Sequence, residues 1–332
     1  MDRVAIIGGG AWGTALAAVA RRNGLETSLW AREPEVVAAI NDSASNPLFL
    51  PGITLPEGIQ ATTNFTEAIA GAETVFLVPP AQHLRDVARA LAPALRRETP
   101  VVICAKGIEQ DTCALLSEVA AEELPGAHLA VLSGPTFAGE VARGLPAAVT
   151  VACHDLALGR RIAATIGSPT FRPYVLDDVV GAQIGGAVKN VLAIATGVTT
   201  GRGLGDNARA ALITRGLAET VRLGRAKGAR LDTLMGLSGL GDLTLTCTST
   251  QSRNTSFGIE LGKGRAPADI LQERRAVTEG FASAAAVVDL AGRLGVEMPI
   301  CEAVNGVCHH GVSVDDAIRS LLTRAFRDEH FD

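Results

Sequence analysis

One lysine stands alone in a long apolar stretch. Residues 181–201 read GAQIGGAVKNVLAIATGVTTG, and Lys189 is the only charge among them. Ile184, Val188, Val191, Leu192 and Ala195 surround it at helical spacing. An ammonium on such a helix either snorkels to water along its own stem or faces a cleft. In a cleft, desolvation and neighbouring cations lower its pKa, which makes it a proton-transfer group. That reading is favoured at Lys189, and Asn190 beside it offers a further hydrogen bond. A second element is GLGDLTLTC at 239–247, where Asp242 is the lone acid among apolar residues and the glycines permit close backbone approach. Ser252, Arg253 and Asn254 follow it with hydroxyl, guanidinium and amide donors in a row. Such a set suits a phosphate, which arginine can bind bidentately; a helix cap followed by a turn is the competing explanation. Lys106 follows the apolar run 100–104 and precedes Gly107. The carboxyl end of a strand is where open α/β sheets bind ligands, so a phosphate or carbonyl ligand and an ordinary loop lysine stand level there.

The N-terminus carries the other chemical signal. Gly8-Gly9-Gly10-Ala11-Trp12-Gly13 fits G-x-G-x-x-G directly after a β-branched run and at the start of a helical pattern. Gly8 makes the tight turn, Gly10 lets backbone approach a pyrophosphate, and Gly13 lets helix pack on strand. The helix N-terminus offers unpaired N–H groups to the anion. The next strand ends Leu29-Trp30-Ala31-Arg32-Glu33. A carboxylate at that end selects a ribose diol, whereas Arg32 suits a 2′-phosphate. NADP(H) is therefore favoured, with NAD(H) open because Glu33 is adjacent; a plain surface arginine is the alternative.

Elements must hold these groups in place. Residues 3–8 and 26–30 read as strands joined by a helix over 16–23, a βαβ unit. Further strand-like runs fall at 74–78, 100–104, 130–132, 147–152 and 174–176, separated mostly by alanine-rich amphipathic stretches. Such alternation implies a mainly parallel sheet covered by helices. The later runs are closely spaced, so antiparallel strands are expected among them. From Gly181 onward helical periods and caps prevail, with Asp206 as the expected cap of a helix running to about Lys227 and two more helices at 281–294 and 299–309. The expected fold is α/β: an N-terminal Rossmann-like, mainly parallel sheet domain over 1–180, then an all-helical domain for substrate binding and catalysis over 181–332.

Composition narrows the function. The 332 residues are 47% hydrophobic, ample for large cores, but only 4% aromatic, which disfavours base stacking on single strands. The net charge of −5, with no long basic run, disfavours nucleic acid and anionic membranes. Six cysteines lack any C-x-x-C pair or zinc spacing and read as reduced cytosolic thiols, so no metal is expected. His309-His310 reads as a solvated helix face, because neighbouring residues on a helix point apart. No leader is expected at the N-terminus, and no membrane span is expected.

Taken in order, several stretches resemble bacterial-type NAD(P)-dependent glycerol-3-phosphate dehydrogenase, from about Val4 to Gly311. They are GGGAWGTALA at 8–17, NPLFLPGITLP at 46–56, AKGIE at 105–109, LSGPTFAGEVARGLP at 132–146 and GGAVKN at 185–190. GDNARAALITRGLAE at 205–219, GLGDLTLTCTS at 239–249, SRN at 252–254 and VEMPI at 296–300 complete the series. The resemblance implies a site between a Rossmann-like and a helical domain, with Lys189 as the proton donor and acceptor. It places substrate ligands at Lys106, Gly134, Thr136, Lys189, Asp242, Ser252, Arg253 and Asn254. Cofactor contacts fall on Gly8, Gly10, Ala11, Trp12, Gly13, Arg32, Lys106, Ala138, Arg253, Val277 and Glu279. It further implies NADP or NAD as cofactor, a small phosphorylated substrate, a cytoplasmic homodimer and supply of glycerol 3-phosphate to phospholipid synthesis. Thr136 stands where serine is common, Pro80 where serine is frequent, and Gly201-Arg202 in a segment that is usually less basic. Two rivals remain: a dehydrogenase of the same architecture acting on a sugar acid or acyl thioester, and a non-catalytic dinucleotide sensor. The sensor has no need of a lone lysine in an apolar helix.

Overall fold

The computed structural model describes residues 1–274 and 276–325. The end of the expected helical domain, 326–332, lies outside the described residues. Contacts divide the chain into two compact units: Met1–Ala105 with Leu116–Val179, and Lys106–Leu115 with the described residues from Val180 onward.

The first unit is built on strands β1 (Arg3–Ile7), β2 (Glu26–Trp30), β3 (Ser45–Asn46), β4 (Leu50–Thr54), β5 (Ile59–Thr62), β6 (Thr74–Leu77), β7 (Pro100–Ile103), β8 (His128–Ser133), β9 (Ala147–Ala152) and β10 (Phe171–Leu176). β3 and β4 form a separate antiparallel pair. The other eight form one sheet in the order β10-β9-β8-β7-β6-β1-β2-β5. Only the β8–β9 pairing in that sheet is antiparallel; β9 and β10 run parallel to each other. The mainly parallel sheet is as expected from the sequence, and its antiparallel feature is confined to one join. β5 and the β3–β4 pair leave no continuous apolar run: β3 has two residues, β4 reads LPGIT and β5 reads IQAT.

The apolar runs are continuous because both sheet faces are covered. Along β1, Val4 and Ile6 enter one buried cluster while Ala5 and Ile7 enter another. β6 repeats this, with Phe76 on one side and Val75 and Leu77 on the other. Strand residues alternate between faces, so helices on both sides make every position apolar. Strand order reverses between β1 and β6, and open α/β sheets bind ligands in the crevice at such a reversal. The loops after these two strands touch: a Cβ at Gly8 would lie 2.7 Å from the Val78 carbonyl oxygen.

The second unit is helical, apart from a short bridge between Ile108 and Leu115. Its principal helices are Val179–Gly201, Gly205–Ala226, Asp242–Thr248, Arg253–Gly262, Glu279–Leu294 and Pro299–His309. Lys106–Leu115 belongs to this unit because Ile108, Cys113 and Leu115 are buried in its apolar core. Asp206 is not the helix cap expected from the sequence. Leu204 holds that position without a side-chain bond, and Asp206 lies in the first turn, 2.8 Å from Arg209. Gly203 and Gly205, with φ of 69° and 84°, already make the turn. Asp206 retains a favourable place near the positive end of the helix.

Helix Val179–Gly201 is long and apolar enough to cross a membrane by length and composition, yet 89% of its apolar 18-residue window is buried within the fold. It is a core helix, packed backbone to backbone on Arg253–Gly262. A Cβ at Gly197 would lie 2.2 Å from the Thr255 oxygen, and one at Gly258 would lie 2.1 Å from that of Ile194. This close crossing sets Lys189 and Asn190 of one helix beside the start of the other. All six cysteines are buried. His309 and His310 are exposed and bonded to the Phe281 carbonyl at 2.8 Å and the Asn305 amide at 3.2 Å respectively.

Candidate active site

Within the helical unit three charged groups converge. Gly185 lies one turn before Lys189, and a Cβ there would sit 2.4 Å from the Ser238 oxygen. The missing side chain lets the helix press against the π-helical turn Leu237–Gly241, which leads directly into helix Asp242–Thr248. Such wide turns recur at functional sites. Asp242 is thereby wholly buried against Lys189. Its Oδ1 accepts from Lys189 Nζ at 2.6 Å and its Oδ2 from Lys106 Nζ at 2.7 Å. Thr246 lies four residues on, on the same helix face. Its hydroxyl accepts from Lys189 Nζ at 2.8 Å and donates to Asp242 Oδ1 at 3.3 Å.

One carboxylate thus serves two ammonium groups. Burial pulls the Lys189 pKa down to about 8; Lys106 pulls it the same way, while Asp242 opposes the fall. Its ammonium therefore gives up a proton more readily than that of a lysine in water. Thr246 was not singled out from the sequence. Its spacing from Asp242 was the available signal.

The Ser-Arg-Asn set is divided among different tasks. Ser252 Oγ accepts from the Thr255 N–H at 3.2 Å and caps helix Arg253–Gly262. The capping explanation therefore holds for its acceptor side, while its own O–H remains to donate. Asn254 donates Nδ2 to Asn190 Oδ1 at 2.9 Å and accepts the Gly280 N–H on Oδ1 at 2.9 Å. It ties the Lys189 helix to helix Glu279–Leu294. The Arg253 side chain is solvent-accessible, but surrounding atoms desolvate it enough to lower its pKa, against the opposing charge of Glu279. Val277 is exposed just before Glu279 opens its helix.

The sheet unit holds the remaining candidates at the carboxyl ends of its strands. Gly8, Gly10, Ala11, Trp12 and Gly13 form the loop after β1 and the start of helix Ala11–Arg22. A Cβ at Gly13 would fall 1.8 Å from the Gly8 oxygen, so helix and loop meet as the fingerprint requires. A Cβ at Gly10 would meet nothing within 4 Å. No side chain caps this helix, and Trp12 Nε1 is a buried donor without a partner. Open space above a bare helix N-terminus is what a dinucleotide pyrophosphate needs, so the residues present fit that group. Gly9, given no role from the sequence, is required by packing: a Cβ there would lie 2.4 Å from that of Ala31. Arg32 is the next residue, exposed, with its guanidinium 2.9 Å from Glu33 Oε1. Gly134 and Thr136 follow β8, where Thr136 Oγ1 donates to the Gly134 oxygen at 3.2 Å. Ala138 opens helix Ala138–Ala142, which also lacks a side-chain cap.

A sheet unit whose glycine loop fits a dinucleotide and a helical unit with a buried lysine of lowered pKa are the parts of a pyridine-nucleotide dehydrogenase. Residues 3–158 match the family described as NAD-dependent glycerol-3-phosphate dehydrogenase N-terminus, and residues 178–319 match its C-terminus. The chain belongs to this NAD-dependent glycerol-3-phosphate dehydrogenase family. It is 60% identical over 329 residues to a glycerol-3-phosphate dehydrogenase [NAD(P)+] of Rhodospirillum rubrum, covering 99% of this chain and 94% of that protein. It is 56% identical to a protein of the same name from Caulobacter vibrioides, covering 99% of each. The crystal structure of glycerol-3-phosphate dehydrogenase from Coxiella burnetii superimposes with a TM-score of 0.94 at 38% identity, covering 97% of this chain and 99% of that one.

Proposed function

We propose that this protein interconverts dihydroxyacetone phosphate and sn-glycerol 3-phosphate with NADP(H) or NAD(H), using Lys189 as proton donor and acceptor. The observation that carries the assignment of Lys189 is its burial on a carboxylate shared with Lys106. The bound nicotinamide supplies the hydride chemistry. Protonated Lys189 has three hydrogens, two of them engaged by Asp242 and Thr246. The third is left for the substrate carbonyl oxygen. In the oxidative direction neutral Lys189 keeps both bonds and turns its lone pair to the substrate hydroxyl. Lys106, on the other carboxylate oxygen, adds positive charge where oxyanion character develops. Arg253, with the Ser252 hydroxyl and the free Asn254 amide hydrogen, holds the phosphate. Remote binding energy thus positions the reacting carbon. Supply of glycerol 3-phosphate for phospholipid synthesis, a cytoplasmic location and a homodimer complete the reading. NADPH or NADH oxidation followed at 340 nm tests it: turnover with dihydroxyacetone phosphate is expected, and its absence with both cofactors overturns the assignment.

Arg253→Ala is expected to raise KM for dihydroxyacetone phosphate by about 10- to 100-fold, the worth of hydrogen bonds to a charged group. Cofactor affinity falls less. Dihydroxyacetone, which has no phosphate, is the control. An equal loss with that compound shows that Arg253 does not read the phosphate.

Arg32 governs the cofactor. Its guanidinium is exposed at the end of β2 and can pair with a 2′-phosphate, but Glu33 already occupies part of it. A modest NADP(H) preference is expected. Arg32→Asp supplies a diol acceptor and repels the phosphate, shifting the NADPH-to-NADH ratio of kcat/KM toward NADH by roughly tenfold or more. An unchanged ratio means that another group reads the 2′ position.

A further inference from the structure

Asn46 is a fully buried polar residue far in sequence from every site residue above, and it reaches the centre of the dinucleotide loop. It lies on the short strand β3. Its Nδ2 donates to the Gly9 carbonyl at 2.9 Å and to Thr14 Oγ1 at 2.8 Å, and its Oδ1 accepts the Phe49 N–H at 3.1 Å. Thr14, likewise buried, directs its own hydroxyl at the same Gly9 carbonyl at 3.3 Å. One loop carbonyl is held by two side chains from different elements.

The consequence follows from the planarity of the peptide. The Gly9 C=O and the Gly10 N–H belong to one peptide unit, and no peptide bond among the described residues is cis. In a trans unit the two groups point in opposite directions. Fixing the carbonyl inward, on Asn46 and Thr14, fixes the Gly10 N–H outward. A Cβ at Gly10 would meet nothing within 4 Å, and among the described residues the Gly10 N–H has no intramolecular acceptor. A peptide between two glycines is among the easiest to rotate, since neither residue has a Cβ to restrain it. Left unpinned, it can turn its carbonyl toward the ligand and meet an anion with a negative dipole end.

We propose that Asn46 is a positioning residue for the cofactor: by holding the Gly9 carbonyl it presets the Gly10 N–H toward the pyrophosphate of the dinucleotide. It touches no reacting atom. Its effect is preorganisation, so its loss weakens ligands that carry the pyrophosphate and spares those that lack it. The inference rests on the dehydrogenase reading above for the identity of the ligand.

The test uses binding rather than turnover. NADPH is titrated by its fluorescence, and ADP-ribose and adenosine are measured by competition, for the wild-type protein and for Asn46→Asp. The aspartate keeps the acceptor for the Phe49 N–H and removes both donors. Kd for NADPH and ADP-ribose is expected to rise about tenfold or more, the effect of one lost charge-directed contact, with adenosine changed less than about twofold. An equal loss for all three ligands, or none for ADP-ribose, overturns the proposal. Should Asn46→Asp not fold, Thr14→Val removes the second hydroxyl tie and must show the same selectivity, about threefold; no selective loss there overturns it too. A wild-type protein that binds neither NADPH nor ADP-ribose removes the dinucleotide reading itself, a result distinct from unselective binding in the variants.

Discussion

Lys189→Ala is expected to lower turnover by about 10²- to 10⁴-fold, the usual contribution of a positioned acid or base, and to leave NADPH affinity nearly unchanged. The fold should survive the change, because Asp242 keeps Lys106 as its partner at 2.7 Å and is not left as a lone buried charge. The pH profile of the wild-type protein carries the same signature. With a Lys189 pKa of about 8, kcat/KM for ketone reduction should be level below that pH and fall above it, as the acid loses its proton. For alcohol oxidation the profile should rise toward the same pH and level off beyond it. Steady-state rates in both directions, with a fluorescence titration of NADPH, test this. Turnover within about tenfold of wild type would rule Lys189 out as the essential acid and base.

How legible this was in the sequence differs from one residue to the next. The Gly8-Gly10-Gly13 spacing is a local pattern, and the loop it describes is built by neighbours in the chain, with Gly13 set against the Gly8 oxygen. Lys189 was conspicuous because twenty uncharged residues accompany it in the stretch 181–201. The covered parallel sheet followed by helices was likewise readable, since continuous apolar strands report that both faces are packed. Long-range contacts were not. Nothing in AKGIE announces that Lys106 packs with the helical unit, because that depends on Ile108 and Leu115 finding its core. Asn46 lies on a two-residue strand with no period to detect, and its partner Gly9 is 37 residues away. Ser252 was read as a donor, yet its oxygen caps a helix. A hydroxyl before a helical pattern is also a capping signal, and composition alone does not decide between the two.

Asp242→Asn should produce the second large effect, and its direction separates an electrostatic role from a structural one. The carboxylate compensates Lys189 and Lys106 at once, with both Nζ atoms within 2.7 Å of its oxygens. An asparagine of the same shape offers one neutral acceptor and turns N–H donors toward the other ammonium. Asp242 now opposes the fall of the Lys189 pKa to about 8, so its loss lets that pKa drop further. Reduction of the ketone should fall by about 10²- to 10³-fold near neutral pH, since the required acid is then largely deprotonated. The descending limb of its pH profile should move to lower pH, and the rising limb for alcohol oxidation should move the same way. Stability provides an independent reading. A lysine whose folded pKa lies below its unfolded value binds fewer protons when folded, so the folded state gains stability as pH rises between the two values. Breaking a buried pair from one side costs about 3–5 kcal/mol, and in Asp242→Asn that cost should shrink as pH is raised from 6 toward 9. Urea denaturation at several pH values, set beside the two rate profiles, checks both. Limbs that stay in place, or that move to higher pH, would show that Asp242 does not set the proton affinity of Lys189.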